Sequence, residues 1–567
     1  MYSVDWRTSR REFGVIREDD VAIPVSAGIK LDCDIFRPDA PGKFPVILGL
    51  HAYSKADQTA PLMPIGTGGI RGHMEAGDFN FYVRRGYVHV IANVRGSGKS
   101  EGLFECFGPG EIQDIFDAIE WLASRPWCDG NVGMFGPSYF AIVQKRVAAL
   151  NPPHLKALFA MYGFTDIYRD FDYHGGILRY NFRQRWIHKI DNMRIKNRLK
   201  EQLGEKEYSA RIEKALQDPE IAAVSSLVEL LRDPDRGRNS LIIEPVLNPL
   251  DGQHHRQYSL SPDAELKIPA YLGSCWGVYG LHLPGDCRSW EQWQGPKKFT
   301  VGPPIYLDRP LYQYHYESLR WFDYWLKGID TKIMEEPRVQ VFIDGTGDWK
   351  EASDWPLPET RWTPFYLHEN GLLSEHEFWP NESPSTFTDS PYSRGSVTFR
   401  TPPMVESTEI CGPMVLNLYA STTDTDVLWF VSLLEISPNG EERLLTRGWL
   451  RGSQRRIDPE LSRPWQPYHL HTGREPLTPN EIYEFNIEVR PYGILLRPGY
   501  RIMVRIKCCD DEVPPHHLHG IGMGHLWRQN SARVTVYHDA DHPSHMLLPI
   551  TRGNRIGTYI SGGIITS

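Results

Sequence analysis

Gly136-Pro137-Ser138-Tyr139 is the segment of this chain whose residue types point most directly to chemistry. It follows a short apolar run, Asn131 to Phe135 (NVGMF), and precedes a helix-like stretch, Ala141 to Leu150. A serine at such a strand-to-helix turn sits at a helix N-terminus above the edge of a sheet. The helix dipole and unpaired N–H groups there stabilise developing negative charge, which suits acyl transfer through a serine nucleophile. The general pattern is G-x-S-x-G, and Phe140 stands where the second glycine is expected, which counts against a sharp turn with close neighbours. An ordinary N-cap serine is the competing reading. Arg95-Gly96-Ser97-Gly98-Lys99-Ser100 resembles part of a phosphate loop, but Asn93 holds the place of its first glycine. A turn after a strand is the better reading there.

Such a serine needs a parallel sheet to hold it. Val46 to Leu50, Tyr87 to Val94, Asn131 to Phe135 and Ala157 to Met161 are short continuous apolar runs, as expected of strands buried on both faces. Between them, Gly110 to Ser124 carries Ile112, Ile115, Phe116, Ile119, Trp121 and Leu122 at helical spacing. Strands alternating with helices imply an α/β layer fold. Residues 167–240 lack strand runs and read as helices, whereas strand signals return at Ala270 to Ser274 and Lys298 to Gly302. The helical block is therefore expected to be a cap inserted into the sheet domain. A helix is predicted from about Pro310 to Lys327, stopping at Gly328. From about 337 the period is two and an all-β sandwich is expected. The predicted boundaries are 1–166 and 263–336 for the sheet domain, 167–262 for the cap, and 337–567 for the sandwich.

Composition sets limits on function. With 567 residues, 41% hydrophobic and 23% charged, the chain can bury a large core. A net charge of −9 without long runs gives no basic patch for nucleic acid or an anionic membrane. No 18-residue apolar run and no secretory h-region occur, so a cytoplasmic protein is expected. The eight scattered cysteines form no CxxC pair and are expected as free thiols. His516, His517, His519 and His525 invite a metal reading, but a structural loop fits their surroundings better; neither metal nor cofactor is expected. The expected partner is a small-molecule substrate, and a homo-oligomer is compatible with the composition.

Several stretches together resemble the cocaine-esterase and X-Pro dipeptidyl-peptidase group of α/β-hydrolases. They are Leu31 to Pro38 (LDCDIFRP), His51 to Lys55 (HAYSK), Asn93 to Gly102, Ile119 to Ser138, Leu319 to Gly328 (LRWFDYWLKG) and Val536 to Pro549. The resemblance implies an α/β-hydrolase domain with an inserted helical cap and a C-terminal jelly roll, and a serine hydrolase acting on an ester or amide of a small, largely apolar acyl compound. It implies Ser138 as nucleophile, with the Tyr53 hydroxyl and the Tyr139 N–H as oxyanion donors. It also places an Asp after Trp276 and a His at residue 306. This chain has Gly277 and Tyr306 there, and a serine without a base is a poor nucleophile. His315, which helical spacing turns inward, is the first substitute base, and His282 in the acid loop is the second. His51 is a candidate to polarise a carbonyl, and Asp286 and Asp308 are candidate orienting carboxylates. Tyr173, Tyr180, Phe182 and Trp186 of the cap, with Trp276 and Tyr306, are expected around substrate. His538, His542 and His545 are expected to be structural. A lyase, a C–C bond hydrolase or an inactive binding protein on the same scaffold is the alternative.

Overall fold

The computed structural model describes residues 7–59, 75–190, 192–304, 312–376, 381–510 and 523–554. The apolar runs become strands because burial on both faces leaves their backbone groups only each other as partners. In chain order these are β1 (Val15–Pro24), β2 (Lys30–Pro38), β3 (Phe44–His51), β4 (Val88–Asn93), β5 (Cys128–Phe135), β6 (Leu155–Met161), a small hairpin of β7 (Tyr173–His174) and β8 (Ile177–Leu178), β9 (Ala270–Cys275), β10 (Lys297–Gly302), β11 (Val339–Ile343) and β12 (Asp348–Ala352). All but the hairpin form one sheet in the order β1-β2-β4-β3-β5-β6-β9-β10-β11-β12. It is parallel from β4 to β11. Every residue of β4 and β9 is buried. The chain crosses from β3 to β4 on one side and returns to β5 on the other. This topological switch brings the carboxyl ends of β3 and β5 together, and with them Tyr53 and Ser138.

Strands β11 and β12 extend this sheet, whereas the sequence reading starts the sandwich at 337. Two-residue periodicity reports a half-buried strand and carries no information about which sheet will accept it. The helix Tyr312–Lys327 ends at Gly328, whose φ of +67° is that of a C′ glycine.

Between β6 and β9 the chain is mostly helical, with helices such as Tyr180–Ile187, Glu205–Gln217 and Ser225–Arg232. It is not free of strands. A π-helical turn, Ile167–Asp172, leads into the β7–β8 hairpin. This region packs a core of its own that includes Tyr168, Tyr173, Leu227, Leu231 and Ile243.

The C-terminal part is β-rich. Its strands are β13 (Arg361–His368), β14 (Leu372–Ser374), β15 (Ser385–Ser390), β16 (Ser393–Arg394), β17 (Ser396–Arg400), β18 (Thr408–Thr422), β19 (Leu428–Ile436), β20 (Glu442–Arg451), β21 (Tyr483–Leu496), β22 (Arg501–Lys507), β23 (Ala532–Tyr537) and β24 (His545–Arg552). β24 pairs with both β13 and β18, so the run from β18 through β21, β20, β19, β22, β17, β14 and β13 closes on itself like a barrel. Closure removes exposed sheet edges. Among the described residues no helix is long and apolar enough to cross a membrane. All eight cysteines are unpaired.

Candidate functional site

Ser138 is half-buried at the turn between β5 and the helix Tyr139–Ala148, with φ +58° and ψ −118°. A non-glycine residue in that conformation stores about 1–3 kcal/mol, and such strain clusters at functional sites. The turn is held from two sides. The Ser138 N–H donates to the carbonyls of Met161 (3.2 Å) and Tyr162 (3.0 Å), and the Ser138 carbonyl accepts the Ile142 N–H at 2.9 Å. Phe140 is accommodated by glycines elsewhere. A Cβ on Gly49 would lie 3.1 Å from the Phe140 ring, and one on Gly136 would lie 2.6 Å from it. The space usually kept by the second glycine of the motif is thus provided by a glycine on the neighbouring strand β3.

The support under the turn is a buried ion pair. Lys145, two turns along the helix Tyr139–Ala148, donates to Asp286 Oδ1 at 2.5 Å and to the Gly163 carbonyl at 2.6 Å. Asp286 Oδ1 also accepts the Gly163 N–H at 3.0 Å. Both side chains are fully buried. Burial pushes the Asp286 carboxyl up to about 7 and the Lys145 amine down, each offset by the other's charge. The pair grips both polar groups of the Gly163 peptide. The neighbouring Tyr162, itself at φ +61°, offers its carbonyl to the Ser138 N–H.

An aromatic cluster gathers around Tyr139, the residue after Ser138. The Trp186 indole N–H donates to the Tyr53 hydroxyl at 3.0 Å. Tyr139 sits edge-on to Tyr53 (6.0 Å between centroids) and is stacked with Trp186 (6.2 Å). Phe107, at φ +71°, packs 4.5 Å from Tyr139, and Phe171 of the π-helical turn meets Trp186 at 5.6 Å. The structure therefore brings together Ser138, Tyr139, Tyr53 and Trp186 of the residues expected at the site.

Others are placed elsewhere. His51 is fully buried; it accepts the Tyr53 N–H through Nδ1 at 3.1 Å and stacks on Phe140, 4.9 Å away. Burial holds its imidazole down at about 3, so it is a neutral structural ring rather than a contact for substrate. Tyr173 stacks on Tyr168 and donates to the Pro245 carbonyl at 2.9 Å in the cap core. Trp276 is buried against Trp355 and Tyr492, its indole N–H on the Phe342 carbonyl at 2.7 Å. An aromatic residue in a cap or loop serves a core as readily as a pocket, and burial decided for the core in both cases. His315 faces inward, as its helical position requires, but its Nε2 accepts the Asp78 N–H at 3.0 Å and its ring stacks on Phe81. The lone pair a base would use is taken. His282 is buried beside Phe164, 6.2 Å between ring centroids, at the start of the helix Leu283–Gln292. Neither histidine hydrogen-bonds Ser138. Tyr306 and Asp308, with His516, His517 and His519, lie outside the described residues. His525 is described, and it pairs with Asp510 (3.0 Å) and His174 (2.9 Å).

Three contributors escaped the sequence reading: Phe107, Lys145 and Glu111. Glu111 is fully buried in the first turn of the helix Pro109–Ala123 and accepts the Tyr139 hydroxyl at 2.6 Å. A first-turn acid usually reads as a dipole partner; its place beside the apolar stripe was the available signal. Burial raises its carboxyl from 4.5 to about 8. The folded chain thus holds a proton there that the unfolded chain loses. The stability linked to this group is complete below about pH 4.5 and is lost as pH rises through about 8. Glu111→Gln is expected to flatten the fall of Tm between about pH 5 and pH 8, followed by calorimetry; an unchanged slope would remove Glu111 from the account. A separate cavity of about 360 Å³ lies where the cap, the helix Leu283–Gln292 and the β-rich part meet, bordered by Arg169, Arg288, Glu291, Trp449 and Arg490.

Comparison with known proteins agrees with this architecture. Residues 27–304 match the family model of the X-Pro dipeptidyl-peptidase (S15 family), and residues 331–547 match that of the X-Pro dipeptidyl-peptidase C-terminal non-catalytic domain. A cocaine esterase of Rhodococcus sp. (strain MB1 Bresler) is 25% identical over 94% of this chain and 98% of its own length. A crystal structure of a CocE/NonD family hydrolase from Staphylococcus aureus superposes with a TM-score of 0.77 at 26% identity, covering 95% of this chain and 94% of the other. An α-amino acid ester hydrolase shares the fold, with a TM-score of 0.73 at 19% identity over 96% of this chain and 98% of its own. With both models matched in order along the chain, the protein belongs to the cocaine-esterase-like and X-Pro dipeptidyl-peptidase-like family of α/β-hydrolases.

Proposed function

We propose that the protein is a serine hydrolase that cleaves an ester or amide of a small, largely apolar acyl compound, with Ser138 as nucleophile. The observation that carries this reading is the strained Ser138 turn, which leads directly into Tyr139 of the Tyr53–Trp186–Tyr139 cluster. Attack by Ser138 Oγ on the acyl carbon would place the oxyanion near the helix N-terminus, where the Tyr139 N–H has no intrahelical acceptor. The Tyr53 oxygen, fixed by the Trp186 N–H, donates its own proton as the second oxyanion group. The apolar rings favour an apolar acyl group and keep water from the oxyanion. In this reading residues 167–262 act as the cap over the site and the β-rich part is a jelly roll.

Tyr53→Phe tests the assignment. Loss of one oxyanion donor is expected to lower kcat on an activated ester by about 100- to 1,000-fold with little change in Tm. A variant with wild-type turnover would refute the Tyr53 role.

One observation favours a second reading, in which the scaffold carries rebuilt or non-hydrolytic chemistry: among the described residues no imidazole hydrogen-bonds Ser138. A fluorophosphonate probe decides between them. Adduct on Ser138 of the folded chain requires an activated serine and supports hydrolysis; an unmodified Ser138 supports the second reading.

A further inference from the structure

Far along the chain from Ser138, the β-rich part assembles a serine, an imidazole and a carboxylate in hydrogen-bonded series. Ser385, the first residue of β15, lies with its Oγ 3.0 Å from His538 Nε2. His538 Nδ1 lies 2.9 Å from Glu382 Oε2. The side chains of His538 and Glu382 are 0% and 3% exposed, whereas Ser385 is only half-buried. The tautomer follows from the partners. Glu382 Oε2 also accepts the Glu369 N–H at 3.1 Å, so it acts as an acceptor and the His538 Nδ1 must carry a proton. In a neutral ring the Nε2 lone pair then accepts the Ser385 O–H. The other carboxylate oxygen, Oε1, faces His368 Nδ1 at 2.8 Å, and His368 Nε2 donates to the His376 carbonyl at 2.9 Å. Glu382 is thereby fixed by two histidines and a backbone N–H, and His538 has one orientation available.

Strand pairing keeps the constellation in place. Ser385 pairs with Val536 across β15 and β23, and His538 follows two residues later, where β23 ends. The Phe399 ring stands edge-on to His538, 5.8 Å away, shielding it from water. A nucleophile bonded to a base that is itself oriented by a third group is the geometric signature of an activated serine, whatever its position in the sequence.

We propose that Ser385 is a second reactive serine, open to covalent modification by activated acyl and organophosphorus compounds. With a fluorophosphonate, the Ser385 proton passes to His538 Nε2 as Oγ bonds to phosphorus and fluoride leaves; the proton then departs with fluoride as HF. With an activated ester, Oγ bonds to the acyl carbon, the alcohol or phenol oxygen leaves and takes the proton from His538, and Ser385 remains acylated. Glu382 takes no proton in either case and holds the imidazole.

The experiment uses the full chain and a fluorophosphonate probe, with adducts located by peptide mass mapping. In the folded wild type an adduct on the peptide containing Ser385 is expected, and it persists in Ser138→Ala. His538→Gln is expected to slow that labelling by at least about 100-fold, with folding followed by circular dichroism. The wild-type measurement needs no variant: absence of an adduct on Ser385, under conditions that label a known serine hydrolase, overturns the proposal whether or not Ser138 is labelled. Equal labelling rates at Ser385 in wild type and in a folded His538→Gln variant overturn it as well. A chain labelled on Ser385 alone upholds this proposal and removes Ser138 as an activated serine.

Discussion

Ser138→Ala is expected to lower turnover of an activated ester by at least about 1,000-fold, because removing a nucleophile leaves only binding and the oxyanion groups to act on substrate. The comparison that separates chemistry from folding is Ser138→Gly. Ser138 is held at φ +58° by the carbonyls of Met161 and Tyr162, on one side, and by the helix it starts, on the other. Alanine carries the same backbone penalty as serine, so Ser138→Ala should melt within a few degrees of wild type. Glycine has no such penalty, and Ser138→Gly should be inactive yet more stable, by about 1 kcal/mol. Turnover on a p-nitrophenyl ester and Tm by calorimetry measure both. If Ser138→Ala retains wild-type turnover, another residue performs the hydrolysis. If Ser138→Gly is no more stable, the strain at this turn is not stored as described.

The second large effect concerns the buried pair beneath the turn. Lys145→Met takes the cationic partner from the Asp286 carboxyl, which keeps the Gly163 N–H, and takes the Lys145 donor from the Gly163 carbonyl, both in a fully buried site. Breaking a buried pair from one side costs about 3–5 kcal/mol. Asp286→Leu should cost a similar amount, since it strands the Lys145 ammonium and the Gly163 N–H. The double variant removes both charges together and should recover much of the loss, as apolar replacement of a buried pair commonly does. Because Gly163 adjoins the carbonyl that holds the Ser138 N–H, the double variant should still show slower Ser138 turnover at near-normal stability. Denaturant melts give the double-mutant cycle and ester turnover gives the second readout. Additive losses across the cycle would mean that the two side chains do not act as a pair.

The α/β character of the first part and the elbow context of Ser138 were legible in the sequence from local signals: apolar runs, helical spacing, and a serine between a strand and a helix. Tyr53 was expected only from the resemblance of the HAYSK stretch to the family. Two substitutions at the expected triad positions, Gly277 and Tyr306, were legible too, but what replaces them was not.

The sequence by itself therefore determined which segments must be buried and which serine stands at a turn, because hydrophobic period and turn chemistry act over a few residues. Only the tertiary structure decided which polar groups meet. Lys145 and Asp286 are 141 residues apart, Tyr53 and Trp186 are 133 apart, and Ser385 and His538 are 153 apart. It likewise assigned β11 and β12 to the first sheet and turned Tyr173 and Trp276 into core residues. A side chain's need for a partner is written in its own chemistry. The identity of that partner is set by how the sheets and helices close around it, since a buried polar group binds whatever donor or acceptor the packed chain brings within about 3 Å.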